Sequence, residues 1–233
     1  MTLSKEKFKT YENVFDNATL RVLFKLSSQG YFDELQSPIS VGKESNIFSA
    51  KKGEDYVAVK IYRVNACDFK KMYTYISGDP RFEGIQKQKR KVIAAWAKRE
   101  YTNLLIAKKS GARVPTPYAV NSNVLVMEFI GHKGKAAEKL KNQEPQDLKK
   151  FSELLIFSLK KLHQEKLIHG DLSEYNILNY EEKPVVIDLS HSIPTKHPNA
   201  EELLKRDILT IVKYFNKKGL KLKEESILKK ITH

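Results

Sequence analysis

The sequence predicts an α+β protein with a β-rich N-terminal part and a helical C-terminal part. In residues 56–62, apolar side chains recur at every second position, which is the period of a strand. In residues 145–165 they recur every three or four positions, which is the period of a helix. The predicted regions are an N-terminal helical extension over 1–36, a strand-rich region over 37–130 and a helical region over 131–233.

The individual elements are predicted from caps, turn residues and hydrophobic period. A first helix is expected over 16–30, because Asp16 or Asn17 can cap it and Gly30 ends it. Residues 64–90 show no clean period, and we expect this charged insert with Gly and Pro to be mobile. The other predicted elements are strands at 39–41, 46–50 and 56–62, a hairpin turning at 121–123, and helices over 91–110, 135–142, 145–165, 199–217 and 222–231.

Composition is typical of a soluble globular protein. The chain is 41% hydrophobic and 30% charged, and no apolar run approaches the roughly 20 residues that cross a membrane. Residues 1–7 lack the apolar core of a signal peptide. The single cysteine, Cys67, excludes an internal disulfide and fits a reducing compartment. We therefore expect a cytoplasmic protein without a membrane partner.

The chain carries a large excess of positive charge. Its 42 Lys and Arg residues outnumber 28 Asp and Glu residues, which gives a formal net charge of +14. An excess of this size attracts polyanions such as RNA, ribonucleoprotein or an anionic membrane. The alternative is a solvated lysine-rich surface, which is common in thermophilic proteins.

The most informative segment is a polar loop that carries an Asp and an Asn five residues apart. Asp171 and Asn176 lie between apolar pairs, and the β-branched run 185–187 delivers Asp188 soon afterwards. This order is typical of phosphoryl transfer, in which one carboxylate accepts the nucleophile's proton, and an Asn oxygen and a second carboxylate hold Mg²⁺. The alternative is an Asx-turn at Asp171 and a strand-end cap at Asp188.

A second candidate pair joins a strand to the helix predicted over 91–110. Glu100 falls on the apolar stripe of that helix, and a carboxylate on an apolar face is unfavourable unless a cation meets it. Lys60, on the third predicted strand, is the candidate cation, and the pair would direct the lysine toward nucleotide phosphates. The alternatives are that Glu100 lies at the edge of the stripe and that Lys60 points to solvent.

The turn between the first two strands, residues 40–47, is a weak candidate for a phosphate-binding loop. It has one glycine, Gly42, where ordinary kinases have three. Val41, Lys43 and Ser45 are its candidate ATP contacts, since backbone amides here could cover phosphates and Ser45 could donate a hydrogen bond to them. A plain β-turn is the alternative.

Several segments together resemble the RIO family of atypical protein kinases, most of all its first subfamily, Rio-one. The segments are 42–47, 57–63, 69–82, 96–104 and 169–176. The most discriminating piece closes the third segment: Gly78, Asp79, Pro80, Arg81 and Phe82. The resemblance covers about residues 16–215 and implies a truncated, two-lobed protein-kinase-like fold with an extra N-terminal helix. The His-Gly-Asp-Leu loop also occurs in aminoglycoside and choline phosphotransferases.

The resemblance implies roles for the residues singled out above. Asp171 would be the catalytic base, and Asn176 and Asp188 would bind the metal. Asp188 would also accept phosphate, as an aspartyl-phosphate intermediate in ATP hydrolysis. Lys60 would bind the phosphates and pair with Glu100.

The resemblance also implies an adenine site and cofactors. Main-chain groups of Glu128 and Ile130 would hold adenine, with Met127 guarding the back of the pocket. The implied cofactors are ATP and Mg²⁺, with Mn²⁺ as an alternative metal. One departure is His191, where the subfamily is expected to have Gln, and nothing in the sequence explains that change.

The implied activity is that of an ATP-dependent serine kinase and ATPase that phosphorylates itself and acts in final maturation of the small ribosomal subunit. The implied partners are pre-ribosomal RNA and proteins, from which ATP hydrolysis would drive release. A nucleotide-dependent RNA-binding switch with little kinase activity is an alternative. A small-molecule phosphotransferase is another, although the basic tail is unsuited to a cationic substrate.

The segment after Asp188 favours a ribonucleoprotein over free peptides as the target. Only 45 residues follow Asp188, and two predicted helices fill them, which leaves no room for an extended peptide-docking subdomain. A monomer is favoured, and the lysine richness favours an archaeal version. Candidate RNA contacts are Lys87, Lys89, Arg90, Lys91, Lys217, Lys218, Lys221 and Lys223.

Overall fold

The computed structural model describes residues 15–64 and 67–233, so the predicted N-terminal extension before residue 15 lies outside the described residues. The chain folds as two compact units, one of Met1–Tyr101 with Pro117–Ala136 and the other of Thr102–Thr116 with Ala137–His233. The boundary between the two main regions was predicted after residue 130, whereas the first unit continues to Ala136. Across the described residues, helices with the length and apolar character to span a bilayer are absent.

Five antiparallel strands form the sheet of the first unit, in the order β1-β2-β3-β5-β4. They are β1 (Glu34–Val41), β2 (Ser45–Lys52), β3 (Asp55–Tyr62), β4 (Pro117–Asn121) and β5 (Val124–Glu128). The strands predicted at 39–41 and 46–50 are therefore parts of longer strands. The register places Lys60 of β3 between Ile47 and Leu125 of the neighbouring strands, so these three side chains share one face of the sheet.

Helix α1 (Asn17–Ser28) covers the other face of this sheet. Asp16 caps its first turn by accepting a 2.9 Å hydrogen bond from a backbone amide. Leu23 of α1 lies in the same buried apolar cluster as Val59 of β3. Because side chains alternate along a strand, Lys60 lies on the face opposite to the one that α1 covers.

The predicted insert contains regular structure that its sequence pattern did not reveal. Helix α2 (Phe69–Ser77) and a 3₁₀ turn (Pro80–Phe82) precede the long helix α3 (Lys89–Lys109), which matches the helix predicted over 91–110. Met72 of α2 is buried in one apolar cluster with Trp96 of α3. The insert therefore packs on α3 through a small core of its own.

Three helices form most of the second unit, and they match three predicted helices. They are α4 (Leu148–Gln164), α5 (Ala200–Lys217) and α6 (Glu224–Thr232). Helix α4 is capped by Asp147, whose Oδ1 accepts a 2.9 Å hydrogen bond from the amide of Lys150, so the helix does not begin at residue 145 as predicted.

The prediction of a helix over 135–142 is wrong. Residues 131–136 form a hairpin of β6 (Gly131–His132) and β7 (Lys135–Ala136), and β8 (Glu138–Lys139) joins a three-stranded sheet of the second unit. Pairing with distant strands therefore overrides the local helical pattern. The other strands of the second unit are β9 (Leu167–Ile168), β10 (Ile177–Tyr180), β11 (Lys183–Val186) and β12 (Ile193–Pro194).

Candidate active site

The first unit contains the predicted pair of Lys60 and Glu100. Their side chains are only 3% and 1% exposed, and Lys60 Nζ lies 2.9 Å from each carboxylate oxygen of Glu100. The structure thus confirms the contact expected from a carboxylate on an apolar helical stripe. It excludes the alternatives in which either side chain points to solvent.

Tyr62 completes this buried group, and the sequence analysis missed it. Its hydroxyl donates a hydrogen bond to Oε2 of Glu100, and the Lys60 ammonium lies 5.2 Å from the centre of its ring. Strand period was the available signal, since residues two apart on β3 share a face of the sheet. Glu100 therefore accepts from two side chains of one strand, which fixes the direction of the lysine.

The turn between β1 and β2 is compact. The Gly42 amide donates to the carbonyl of Ser45 at 3.0 Å, and the Arg63 guanidinium donates to the carbonyl of Gly42 at 3.2 Å. Val41 and Lys43 are exposed at this turn. The structure therefore places these predicted ATP contacts on a plain turn at the end of the strand pair.

The segment predicted to bind adenine consists of the last residues of β5 and the residues directly after this strand. Met127 is buried and pairs with Ala58 of β3, and Ile130 is also buried, while Glu128 between them is half-buried. The segment therefore leaves β5 at the end of a strand that is fixed on both sides by neighbours in the sheet.

In the second unit, the predicted catalytic loop lies between β9 and β10. Asp171 is exposed, and Asn176 Nδ2 donates to its carbonyl at 2.8 Å and lies 3.5 Å from its carboxylate. The amide of Ile187 donates to the carbonyl of Asn176 at 3.0 Å, which ties the start of the Asp188 segment to the loop. Asp171 and Asn176 thus share a direct hydrogen bond, and Asp188 is joined to them through its neighbour Ile187.

His169 braces this loop. Its Nδ1 accepts from the amide of Asp171 at 3.2 Å, and its Nε2 lies 3.0 Å from the carbonyl of Ile187. Since Nδ1 accepts and a carbonyl can only accept, the ring carries its proton on Nε2. The imidazole therefore joins the loop of Asp171 to the residue before Asp188.

Asp207 on α5 supports the same loop, and the sequence analysis missed it. It is buried, and its carboxylate accepts from the amides of Gly170 at 2.7 Å and Leu172 at 2.9 Å. Burial raises the pKa of Asp207, although the hydrogen bonds from these two amides and the charge of Arg206 oppose the shift. The signal was present, because Asp207 lies four residues from each of two buried residues, Leu203 and Ile211, just as Glu100 lies on an apolar stripe.

Asp188 has a left-handed backbone, with φ +60° and ψ +66°. The hydroxyl of Ser190 donates to its Oδ1 at 2.7 Å. His191 lies beside this serine, with Nδ1 3.3 Å from the hydroxyl oxygen, and nothing in the structure explains the histidine further. Asp188 is therefore held by its own turn and presents a half-buried carboxylate.

A five-stranded antiparallel sheet with a Lys–Glu pair, together with a helical unit that carries an Asp–Asn loop and a following Asp, defines a protein-kinase-like fold. Comparisons with known proteins agree with this class. The model of the RIO domain family matches residues 46–227, more than half of the chain. The chain therefore belongs to the RIO family, and its relatives place it in the Rio1 subfamily.

Two archaeal relatives are named RIO-type serine/threonine-protein kinase Rio1. The protein of Haloferax volcanii is 42% identical over 97% of this chain and 79% of its own length. The protein of Methanocaldococcus jannaschii is 42% identical over 97% of this chain and 78% of its own length. By family, the chain is an atypical serine/threonine-protein kinase that uses ATP and Mg²⁺.

Solved structures of a related kinase agree on the fold. The Rio2 kinase from Chaetomium thermophilum, crystallised as an ADP/Mg²⁺-phosphoaspartate complex, matches with a TM-score of 0.66 at 22% identity, over 92% of this chain. The chain spans 66% of that structure's length.

Proposed function

We propose that this kinase phosphorylates itself on serine and hydrolyses ATP during maturation of the small ribosomal subunit. The observation that carries the proposal is the buried Lys60–Glu100 pair, in a chain where Asn176 also bonds to Asp171 and to the residue before Asp188. The resemblance to the family gives each of these residues a role in phosphoryl transfer.

In the first unit, Lys60 would bind the phosphates of ATP. Its ammonium is fixed by Glu100, so little side-chain freedom is left to lose when a phosphate arrives. Main-chain groups of Glu128 and Ile130 would bind adenine, and Met127 would close the back of the pocket. The turn at Val41, Lys43 and Ser45, residues of which only Ser45 is half-buried, would contribute backbone amides.

Asn176 and Asp188 fit a magnesium site. Because Nδ2 of Asn176 is bonded to the carbonyl of Asp171, the amide oxygen is the atom that it presents to a ligand. One amide oxygen and one carboxylate are the hard, sparse ligand set that suits Mg²⁺, whose remaining ligands are phosphate and water. When bound, Mg²⁺ or its substitute Mn²⁺ would neutralise charge on the phosphates.

Asp171 would act as the base in serine phosphorylation. Its carboxylate would accept the proton of a serine hydroxyl as the seryl oxygen forms a bond to the γ-phosphorus and the bond from that phosphorus to ADP breaks. The exposed carboxylate sits on a backbone held by His169 and Asn176, which keeps it in one direction.

Asp188 would serve ATP hydrolysis as the phosphate acceptor. A carboxylate oxygen would bond to the γ-phosphorus as ADP leaves, and water would then hydrolyse the acyl phosphate. The phosphoaspartate in the Rio2 complex supports this proposal. Asp188 would thus have two roles, as a ligand of the metal and as the acceptor of the phosphate.

Ribosomal RNA is the proposed partner, on the basis of the net charge of +14. The candidate basic residues are not equivalent. Arg90 lies 3.3 Å from Asp16, and Lys218 lies 2.6 Å from Glu144, so both already face a carboxylate. Lys217, Lys221 and Lys223 are exposed near the C-terminus and are the stronger candidates.

The substitution Asp171→Ala tests the proposed base. We expect autophosphorylation to fall by at least about a hundredfold while ATP affinity changes little, because general-base catalysis contributes on that scale. Asp147→Asn is the matched control, since it also removes a carboxylate from the second unit but keeps a good helix cap. Retained autophosphorylation in Asp171→Ala would reject the assignment.

A nucleotide-dependent RNA-binding switch is the second candidate, and the phosphoaspartate of the Rio2 complex favours it. ATP hydrolysis with ATP in excess over the enzyme, measured with and without immature small-subunit particles, separates the two. One hydrolysis per release, with no phosphate on any serine, supports the switch. Repeated turnover with phosphoserine supports the kinase.

A further inference from the structure

A network of three charged side chains, two of them buried, joins the insert to α3 within the first unit. Asp79 of the insert is 3% exposed and Arg99 of α3 is 1% exposed. The Oδ2 atom of Asp79 accepts from Arg99 Nε at 3.2 Å and from Arg81 Nη2 at 2.6 Å. Arg81 Nε also reaches Oδ1 at 2.9 Å. One carboxylate thus binds two guanidinium groups.

Arg99 is enclosed by aromatic rings from both helices that it joins. Its guanidinium carbon lies 5.3 Å from the ring centre of Trp96 on α3 and 5.5 Å from that of Tyr75 on α2. Burial lowers the pKa of Arg99 to about 10, against the opposing charge of Asp79, so the group is still cationic at neutral pH. Because a buried cation between two helices needs a partner of opposite charge, the position of Asp79 affects how both helices pack.

The insert reaches the Lys60–Glu100 pair by two routes. Arg99 and Glu100 are consecutive residues of α3. Arg99 bonds to Asp79 of the insert, and Glu100 bonds to Lys60. Tyr62, which donates to Glu100, also lies in the buried apolar cluster that contains Met72 of α2. The rotation of α3 about its axis therefore depends on contacts with the insert.

We propose that Asp79 and Arg99 are positioning residues, which hold α3 at the rotation where Glu100 meets Lys60. This inference rests on the proposed binding of phosphate by Lys60. Apolar contacts alone let packed helices slide, whereas a planar guanidinium bonded to a carboxylate fixes one relative orientation of the two segments that carry them. Stability alone is a poor reason for the network, since well-packed apolar side chains often replace buried ion pairs without loss.

Asp79→Asn is the first test, with ATP and adenosine affinities measured by calorimetry. We expect ATP to bind about tenfold more weakly, which is the size of one hydrogen bond to a charged group, and adenosine to bind unchanged because it has no phosphate. Equal weakening of both ligands would mean general damage to the fold and would overturn the proposal. So would unchanged binding of both.

Arg99→Lys is the second variant, and it keeps the buried charge paired. If the network only compensates charge, Arg99→Lys should keep the wild-type ATP affinity. If the network orients α3, ATP should bind several-fold more weakly, because lysine lacks the planar, forked donor group of arginine. Asp68→Ala is the matched control, because Asp68 caps α2 in the same insert and its cap hydrogen bond stays within the insert. We expect it to leave ATP affinity unchanged.

The rate at which acetic anhydride modifies Lys60, followed by mass spectrometry, separates the two levels of the proposal. Asp79→Asn should speed modification of Lys60 relative to Lys43, whatever Lys60 binds. An unchanged rate overturns the positioning role. If Lys60→Ala leaves ATP affinity unchanged while Asp79→Asn still exposes Lys60, the failure belongs to the proposed phosphate role of Lys60.

Discussion

At the residue scale, Gly170 shows why the loop proposed to be catalytic requires a glycine. Its φ is +78°, and an added Cβ would lie 2.8 Å from the backbone carbonyl oxygen of His191. Gly170→Ala should therefore lower the free energy of unfolding by more than the roughly 1–2 kcal/mol of a left-handed alanine, and should reduce autophosphorylation. Urea unfolding and phosphate incorporation measure the two effects.

Gly111→Ala is the control for that substitution. Gly111 has a similar φ of +83°, but an added Cβ would meet nothing within 4 Å. Its loss of stability should stay near about 1–2 kcal/mol, without loss of autophosphorylation. Equal effects of the two substitutions would show that the contact with His191 is unimportant.

Tyr62 offers a second prediction about one side chain. Tyr62→Phe removes the hydroxyl that donates to buried Glu100 but keeps the ring and the Lys60–Glu100 pair. We expect the free energy of unfolding to fall by about 2 kcal/mol, as for a hydrogen bond to a charged group, and ATP affinity to fall several-fold. Tyr73→Phe, on the half-buried face of α2, should change stability by less than about 0.5 kcal/mol.

At the scale of elements, length decided what the sequence could predict. The long helices α3, α4 and α5 have several turns of periodic apolar residues, and the sequence located them closely. Helix α2 has nine residues and lies in a charged segment, so its period was too short to recognise. Residues 135–142 were predicted wrongly because β8 is defined by pairing with β10, which lies far along the chain.

The acid sensitivity of the insert is a prediction about an element. Burial alone would raise the pKa of Asp79, but the hydrogen bonds and charges of Arg81, together with the charge of Arg99, lower it below its ordinary value of 3.8. The folded protein thus holds this proton less tightly than the unfolded chain does. Asp79 therefore stabilises the folded state above pH 3.8, and the contribution is lost as the pH falls through the folded pKa.

Urea unfolding of the wild type and Asp79→Asn from neutral pH to about pH 3 tests this sign. The difference in unfolding free energy should be constant near neutral pH and should shrink below about pH 4, where the carboxylate is protonated first in the unfolded chain and only at lower pH in the folded protein. A difference that persists unchanged to the lowest pH would contradict the lowered pKa of Asp79.

At the scale of the whole molecule, the candidate site was predictable where chemistry constrains neighbouring residues. Asp171, Asn176 and Asp188 lie within one short stretch of chain. Glu100 indicated that it has a cationic partner, because a lone carboxylate on an apolar stripe is energetically unfavourable. Asp207 obeys the same rule but gives no indication of its partners, which are backbone amides. The Asp79 network was hidden because exposed and buried arginines look alike in a sequence.

Net charge leads to the last prediction, about RNA. If Lys217, Lys221 and Lys223 contact phosphates, replacing all three by Ala should weaken binding and should flatten the plot of log affinity against log salt by up to about 2, at about 0.7 per contact with a single strand. Lys205→Ala is the control, because this lysine is paired with Glu201 at 2.7 Å. Filter binding to unpaired ribosomal RNA at several salt concentrations measures both slopes. A wild-type affinity that does not change with salt would show that the lysines form only a solvated surface.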